Sequence, residues 1–286
     1  MTRSRSVLMR WLAVRWLLAG VALLVVVAGC GSPSVARPVA PAPSSAASPV
    51  ASPVAAHHHP GPAVAGDPVG QIVVAADETL RTPLTTLARL FPDSYPQASI
   101  VLRFGRSDEL ARQVTAHRDA DVLITAGPPL IQRAVAAGAV HGSPAWLARD
   151  TLVIVTRPGG SVRRLGDLSG ARVALCDPSA RCGVASARVL THVRVAPVLV
   201  APDARSALAA VAAGKADATL VYRSEVTAAR LGLTVRDSEE SAPAAERYSI
   251  ASVHTGRPTT GADAFAGFAT SVLGRSLLNE AGFGPP

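Results

Sequence analysis

The segment Ala171–Leu190, ARVALCDPSARCGVASARVL, contains the local pattern from which the fold is predicted. Arg172–Leu175 is a short β-branched and apolar run, typical of a buried strand. Asp177-Pro178 favours a turn, and the small, alanine-rich sequence from Gly183 onward favours a helix. Such a junction directs unpaired backbone N–H groups and the positive end of the helix towards a small anion. Any α/β unit forms this junction, so the signal gains weight only because the chain repeats it.

The same alternation of strand and helix continues through the rest of the chain. Strands are predicted over 71–75, 99–104, 121–125, 151–156, 195–200, 218–222 and 248–253. Helices are predicted over 79–91, 107–117, 129–137, 205–213, 224–231 and 262–278. This pattern predicts an α/β fold with parallel strands. The phosphate-loop, dinucleotide, nucleophile-elbow and zinc-protease motifs do not occur, so no enzyme class is indicated.

The N terminus has the organisation of an export signal. Arg3, Arg5, Arg10 and Arg15 precede the apolar run Trp16–Ala28, which is too short to span a bilayer comfortably. The following Val-Ala-Gly-Cys resembles the lipobox of bacterial lipoproteins, which implies a signal peptide at residues 1–29 and lipidation of Cys30. An uncleaved signal anchor is the alternative. The mature protein is therefore expected outside the cytoplasmic membrane, on a lipid tether.

Residues 30–69 are predicted to be an extended linker, because proline, alanine, serine and valine dominate and cannot form a core. His57-His58-His59 in this linker is typical of low-complexity sequence, so no dedicated metal site is predicted there. The formal net charge of the chain is +8, and removal of the four signal arginines leaves +4. Without a basic run, no nucleic-acid partner is predicted. The chain is expected to be a monomer without a cofactor.

The cysteines support the prediction of an exported protein. With Cys30 assigned to the lipid, Cys176 and Cys182 remain as a pair in an oxidising compartment. We predict a disulfide between them across the turn. Two buried thiols, or a redox-active pair, are the alternatives.

The order of motifs from residue 71 to the C terminus resembles the substrate-binding protein of the molybdate ABC transporter. The matching motifs are FGRSDELARQ at 104–113, ADVLITA at 120–126, DPSARCG at 177–183, DARSAL at 203–208, KADATLVY at 215–222, YSIA at 248–251 and GFG at 282–284. Each motif alone is weak, but all occur in the family's order.

This resemblance implies a two-lobed fold like that of the periplasmic binding proteins of type II. Two α/β lobes are joined by two crossovers, and the ligand lies in the cleft between them. The first lobe is expected to comprise 71–150 plus 250–286, and the second 151–249. The implied function is capture of molybdate or tungstate and delivery to a membrane permease, without chemistry on the ligand.

The resemblance also implies the residues that hold the oxyanion. They are the hydroxyls of Thr79 and Ser107, the backbone N–H groups of Cys182 and Ala204, and the phenol of Tyr222. Neutral donors suit this task, because hydrogen bonds to a charged acceptor are roughly twice as strong as neutral ones. A purely structural role remains the alternative: Thr79 and Ser107 precede helical runs as N-caps do, and a tyrosine at a strand end is often a packing anchor.

The sequence departs from the family at Asp77 and Glu78, where the family has small residues before its first hydroxyl, and Arg106 directly precedes the second hydroxyl, Ser107. A carboxylate about 5 Å from a bound anion costs roughly 3 kcal/mol per product of charges at an effective dielectric constant near 20. Glu78 and Arg106 are therefore candidate modulators of the cleft, with Arg106 placed to offset the acids. They equally fit a solvent-facing role, in which the acids favour the helix start. If Glu78 lines the cleft, Glu78→Ala should raise oxyanion affinity.

Other functions stay open at this point. The same fold could take sulfate, phosphate or an organic acid, and a non-transporting sensor or scaffold is a further class. A thiol enzyme using Cys176 and Cys182 is less favoured, because their spacing is not C-x-x-C and the nearest histidine in sequence is His192.

Overall fold

The computed structural model describes residues 66–286. The predicted signal peptide, the lipidation site Cys30, the linker up to residue 65 and His57–His59 lie outside the described residues. Within the described part no helix is long and apolar enough to cross a membrane.

The described residues form two five-stranded sheets. In chain order the strands are β1 (Gly70–Asp77), β2 (Ala98–Gly105), β3 (Val122–Ala126), β4 (Val140–Asp150), β5 (Leu152–Thr156), β6 (Val173–Cys176), β7 (Leu199–Ala201), β8 (Ala218–Tyr222), β9 (Thr234–Arg236) and β10 (Glu246–Val253). The first sheet has the order β2-β1-β3-β10-β4, and the second has the order β7-β6-β8-β5-β9. Each sheet is the centre of one lobe.

Helices cover both sheets. They are α1 (Arg81–Ser94), α2 (Ser107–His117), α3 (Pro128–Ala136), α4 (Arg181–Val189), α5 (Ala204–Ala212), α6 (Arg223–Ala229), α7 (Thr260–Thr270) and α8 (Val272–Glu280), with short 3-10 segments at Glu78–Leu80, Leu165–Gly170 and Glu239–Ala244. The strands β3, β5 and β8 are buried along their whole length, as expected when helices pack on both faces of a sheet. The two-lobed α/β fold predicted above is confirmed.

The sheets are mixed, whereas the alternating pattern predicted parallel strands. β1, β2 and β3 pair in parallel, but β10 runs antiparallel to both β3 and β4. In the second sheet β5 runs antiparallel to β8 and β9. The chain passes from the first sheet to the second after Asp150 and returns at Glu246, so β5 and β10 enter their sheets from the opposite direction. The proposed lobe limits, 71–150 with 250–286 and 151–249, remain predictions.

One predicted helix is wrong in its length. The expected single helix 262–278 is broken at Ser271, whose backbone is extended (ψ 174°) and whose hydroxyl accepts from the N–H of Gly274. A Cβ at Gly274 would lie 2.1 Å from the carbonyl oxygen of Ala269. The close approach of the two helix ends therefore requires glycine there, and an apolar helical pattern does not reveal it.

Both faces of each sheet carry an apolar core. On one face of the first sheet Leu84, Leu87, Phe91 and Phe265 are fully buried, and Leu110, Val114 and Ile131 are buried on the other. The predicted disulfide between Cys176 and Cys182 is confirmed, with a Cα–Cα distance of 5.8 Å within the range such bridges require. It joins the end of β6 to the first turn of α4.

Candidate ligand-binding cleft

A cavity of about 430 Å³ lies between the ends of the first sheet's strands and the start of α4. Asp77, Thr79 and Ser107 line it from the first lobe, and Ser179 and Arg181 line it from the second. Glu246, where the chain returns to the first lobe, completes this set. The cavity therefore occupies the position at which a two-lobed protein closes on a ligand.

Thr79 follows the end of β1, in the 3-10 turn that leads into α1. Its backbone N–H and its hydroxyl both donate to one carboxylate oxygen of Asp77, at 3.1 Å and 2.6 Å. Asp77 thus acts as the cap of this turn, which is the role that aspartate commonly has before a helix.

Ser107 is the first residue of α2 and is buried. Its hydroxyl donates to the second carboxylate oxygen of Asp77 and accepts from the N–H of Ala126, at 2.8 Å. The structure therefore brings together the two hydroxyls predicted from sequence. Both point at the two oxygens of a single carboxylate, which is 7% exposed.

A hydrogen-bond chain connects this carboxylate to the second lobe. The hydroxyl of Tyr248 lies 2.9 Å from Thr79 Oγ1 and 2.9 Å from Arg181 Nη2. Because Thr79 has one hydroxyl proton and gives it to Asp77, Tyr248 donates to Thr79 and accepts from Arg181. Arg181 donates to Tyr248, Tyr248 donates to Thr79, and Thr79 donates to the Asp77 carboxylate, which is the final acceptor. Such chains polarise in one direction and strengthen the last bond.

Arg181 is the first residue of α4, but its side chain reaches the first lobe. Its Nε lies 2.6 Å from Glu246 and its Nη2 lies 2.9 Å from the fully buried Asp150. Glu225 is 3.8 Å from Nη1. The guanidinium also stacks 3.5 Å above the ring of Tyr222. It therefore links elements of both lobes.

Burial and these neighbours shift several pKa values in the cluster. Burial lowers the pKa of Arg181, but Tyr248, Asp150 and the nearby glutamates raise it well above its usual value, so the guanidinium stays charged. Burial raises the pKa of Glu225 and of both tyrosines, Tyr222 and Tyr248. Asp150 accepts hydrogen bonds from Ser224 Oγ at 2.5 Å and from its N–H at 3.2 Å.

The other predicted ligand residues lie outside this cavity. Tyr222 is 2% exposed, and its hydroxyl donates to the carbonyl oxygen of Ala244 at 3.0 Å. Cys182 and Ala204 are buried in the first turns of α4 and α5, where backbone N–H groups lack helical partners. The phenol that contacts the Thr79 hydroxyl is that of Tyr248. Ligand contact by these residues stays a prediction.

Glu78 and Arg106 both line the cavity, and both are exposed. Arg106 Nε pairs with Asp108 at 3.2 Å, and its side chain is 75% exposed. The arginine is therefore on the cavity rim and engaged with its own neighbour. It does not contact Asp77.

Sequence reasoning missed Arg181, Tyr248, Asp150 and Glu246. Tyr248 was placed in a matching strand, but its contact with Thr79 joins residues 169 positions apart. For Arg181, the sequence does contain a signal of a distant partner. A cation in the first turn of a helix opposes the helix dipole, so its presence there indicates a partner elsewhere.

The fold and this cleft define a class: a two-lobed α/β binding protein that encloses a small solute between its lobes. The chain belongs to the family of bacterial extracellular solute-binding proteins, whose sequence profile matches residues 72–284.

Three proteins similar to this chain have names that refer to molybdate or molybdenum. The molybdate-binding protein ModA of Mycobacterium tuberculosis (strain ATCC 25618 / H37Rv) is 32% identical over 222 residues, which cover 75% of this chain and 85% of that protein. The substrate-binding domain of a putative molybdenum ABC transporter from Clostridium difficile superposes with a TM-score of 0.67 at 19% identity, covering 76% of this chain and 99% of that one. The periplasmic molybdate-binding protein of Azotobacter vinelandii gives 0.56 at 21% identity, covering 75% and 99%. At 19% and 21% identity, these two solved structures support only the assignment of the fold.

Proposed function

We propose that this protein captures molybdate or tungstate outside the cytoplasmic membrane and delivers it to the permease of an ABC importer. The observation that carries the proposal is the convergence of the Thr79 and Ser107 hydroxyls on the two oxygens of one anionic group. The oxygens of a tetrahedral oxyanion would accept hydrogen bonds from the same two hydroxyls. The 32% identity to ModA over 222 residues supports the choice of oxyanion.

The mode of action is binding and closure, with no reaction at the ligand. The cavity is bounded by both lobes, so hinge motion at the two crossovers would open and close it. The cysteines give no support to a thiol enzyme: they are joined in a disulfide, with Cys176 4% and Cys182 1% exposed. Exchange requires an accessible sulfur.

Calorimetric titration of the full chain, purified in detergent, tests the ligand. We expect binding of molybdate and tungstate and no heat from sulfate or phosphate. Heat from sulfate or phosphate alone would keep the fold and change the ligand. Silence with all four oxyanions would overturn the proposal.

Two variants test whether the hydroxyl pair holds the ligand. Ser107→Ala should weaken molybdate binding roughly ten- to a hundredfold, because a hydrogen bond to a charged group contributes about 1.5–3 kcal/mol. Ser179→Ala is the matched control: Ser179 lines the same cavity, but its hydroxyl donates to Asp177 at 2.6 Å. Equal effects of the two substitutions would contradict this assignment.

The proposal includes a lipid tether on Cys30, from which the linker presents the lobes to the permease. Cys30→Ser should abolish incorporation of a labelled fatty acid, because the sulfur that carries the lipid is gone. Ser32→Ala, two residues further on, should incorporate the label as the wild type does. Absence of the label from the wild type would indicate an uncleaved signal anchor.

A further inference from the structure

The Asp77 carboxylate is bonded to the same donors that the proposed ligand would need. Three donors point at its carboxylate: the Thr79 N–H, the Thr79 hydroxyl and the Ser107 hydroxyl. Each hydroxyl has one proton to give. Neither can serve an oxyanion while it is bonded to Asp77.

No cation in the described cleft offsets the charge of Asp77. Arg181 is the nearest in the hydrogen-bond chain, but its charge is opposed by Glu246 at 2.6 Å and Asp150 at 2.9 Å. Arg106 on the rim pairs with Asp108. A dianion that enters therefore meets a carboxylate that is only 7% exposed and has no cation bonded to it, and like charges a few ångströms apart repel each other.

We propose that Asp77 is the affinity-determining residue of this cleft, an internal carboxylate that competes with the oxyanion for the hydroxyls of Thr79 and Ser107. This inference rests on the proposed function and deepens it. The ligand binds only by displacing the carboxylate from both hydroxyls. The native affinity is accordingly lower than the donor set alone would give.

Asp77→Asn is the test. Asparagine keeps an oxygen that can accept from the Thr79 N–H, and it caps helices as well as aspartate does. It removes the charge and adds an N–H₂ donor. We expect molybdate affinity to rise about a hundredfold or more, because each product of unit charges about 5 Å apart weakens binding by roughly a hundredfold at an effective dielectric constant near 20.

Two further variants make the result specific. Asp77→Ser, which also caps helices, should raise affinity as well. Asp93→Asn removes an exposed carboxylate near the end of α1 that does not line the cavity, and should change affinity by less than about threefold because water screens it. Thermal melts of each variant establish that it is folded.

The titrations separate this inference from the proposed function. Binding of molybdate by the wild type tests the function, and the ratio of the variant's affinity to the wild type's affinity tests the role of Asp77. Unchanged or weaker molybdate binding by folded Asp77→Asn and Asp77→Ser overturns the inference and leaves the function standing. Binding by Asp77→Asn but not by the wild type supports the inference and overturns capture by the native chain. If the wild type binds phosphate and Asp77→Asn does not, the inference about Asp77 is also overturned. The Asp77 carboxylate would in that case accept a hydrogen bond from a protonated oxygen of the phosphate.

Discussion

Gly183 shows how one residue sets the geometry at the start of α4. A Cβ at this position would lie 1.9 Å from the carbonyl oxygen of Asp177 and 3.0 Å from that of Cys176. Both neighbours are backbone atoms of the turn that the disulfide closes, so neither can rotate away. Glycine here permits the close contact between turn and helix that places Arg181 in the cleft.

Gly183→Ala should therefore lower the free energy of unfolding by about 3 kcal/mol or more, as overpacking against backbone does. Gly267→Ala is the matched control, because Gly267 lies exposed inside α7 with no atom near its missing Cβ. It should gain about 0.5–1 kcal/mol from helix propensity. Urea unfolding measures both, and equal effects would contradict the argument.

The disulfide between Cys176 and Cys182 closes a loop with a sequence separation of 6. Cross-linking so short a loop removes chain entropy from the unfolded state equivalent to about 2 kcal/mol. We expect the double variant Cys176→Ser/Cys182→Ser to lose about that much stability. Wild type unfolded with and without reductant is the control, and no difference between them would contradict the expectation.

At the scale of elements, the first turn of α4 is tied to β4 and β10 by the charge cluster around Arg181. Asp150 is fully buried and receives hydrogen bonds from Arg181 and Ser224. Removing Arg181 leaves Asp150 and Glu246 without their cation. Breaking a buried ion pair from one side costs about 3–5 kcal/mol.

Arg181→Ala should accordingly lower the free energy of unfolding by about 3–5 kcal/mol. Arg106→Ala is the matched control, since Arg106 lines the same cavity with a side chain 75% exposed. Its loss should stay within about 0.5 kcal/mol. A loss of unfolding free energy below about 1 kcal/mol for Arg181→Ala would mean that water solvates Asp150 and Glu246 in the variant.

Glu225 at the start of α6 predicts a pH dependence. Burial raises its pKa above the ordinary glutamate value. Between the ordinary and the raised value the folded state holds a proton that the unfolded state has released, so stability falls as pH rises through this window. Glu225→Gln should reduce this fall and be more stable than the wild type near neutral pH, with the difference vanishing in acid. Urea unfolding across pH 4–8 tests it, and parallel curves would contradict it.

At the scale of the whole molecule, the Arg181 contacts join the two lobes. Arg181 belongs to α4, which packs on the second sheet, whereas Glu246 and Tyr248 belong to β10 of the first. Small-angle scattering should show a larger radius of gyration for ligand-free Arg181→Ala than for the wild type. Arg106→Ala should match the wild type. An unchanged radius for Arg181→Ala would show that other contacts close the cleft.

The sequence alone determined the elements whose signals are local. The strand at 218–222 and the helix at 107–117 follow from apolar patterning, and the disulfide follows from cysteine count and compartment. Thr79 and Ser107 were identified through the resemblance to the molybdate-binding family, and their position next to a helix start also fitted a capping role. Sequence could not determine which way the strands run, because direction depends on where the crossovers place β5 and β10.

Only the tertiary structure decided what occupies the cleft. Asp77 was recognised as a departure, with no means of knowing whether it faced solvent or the site. Its carboxylate meets Ser107, 30 positions away, and the chain continues through Tyr248 to Arg181 in the other lobe. Local patterning fixes strands and helices because their hydrogen bonds join near neighbours. The charges and hydroxyls of the cleft come from distant segments, so only folding determines which of them meet.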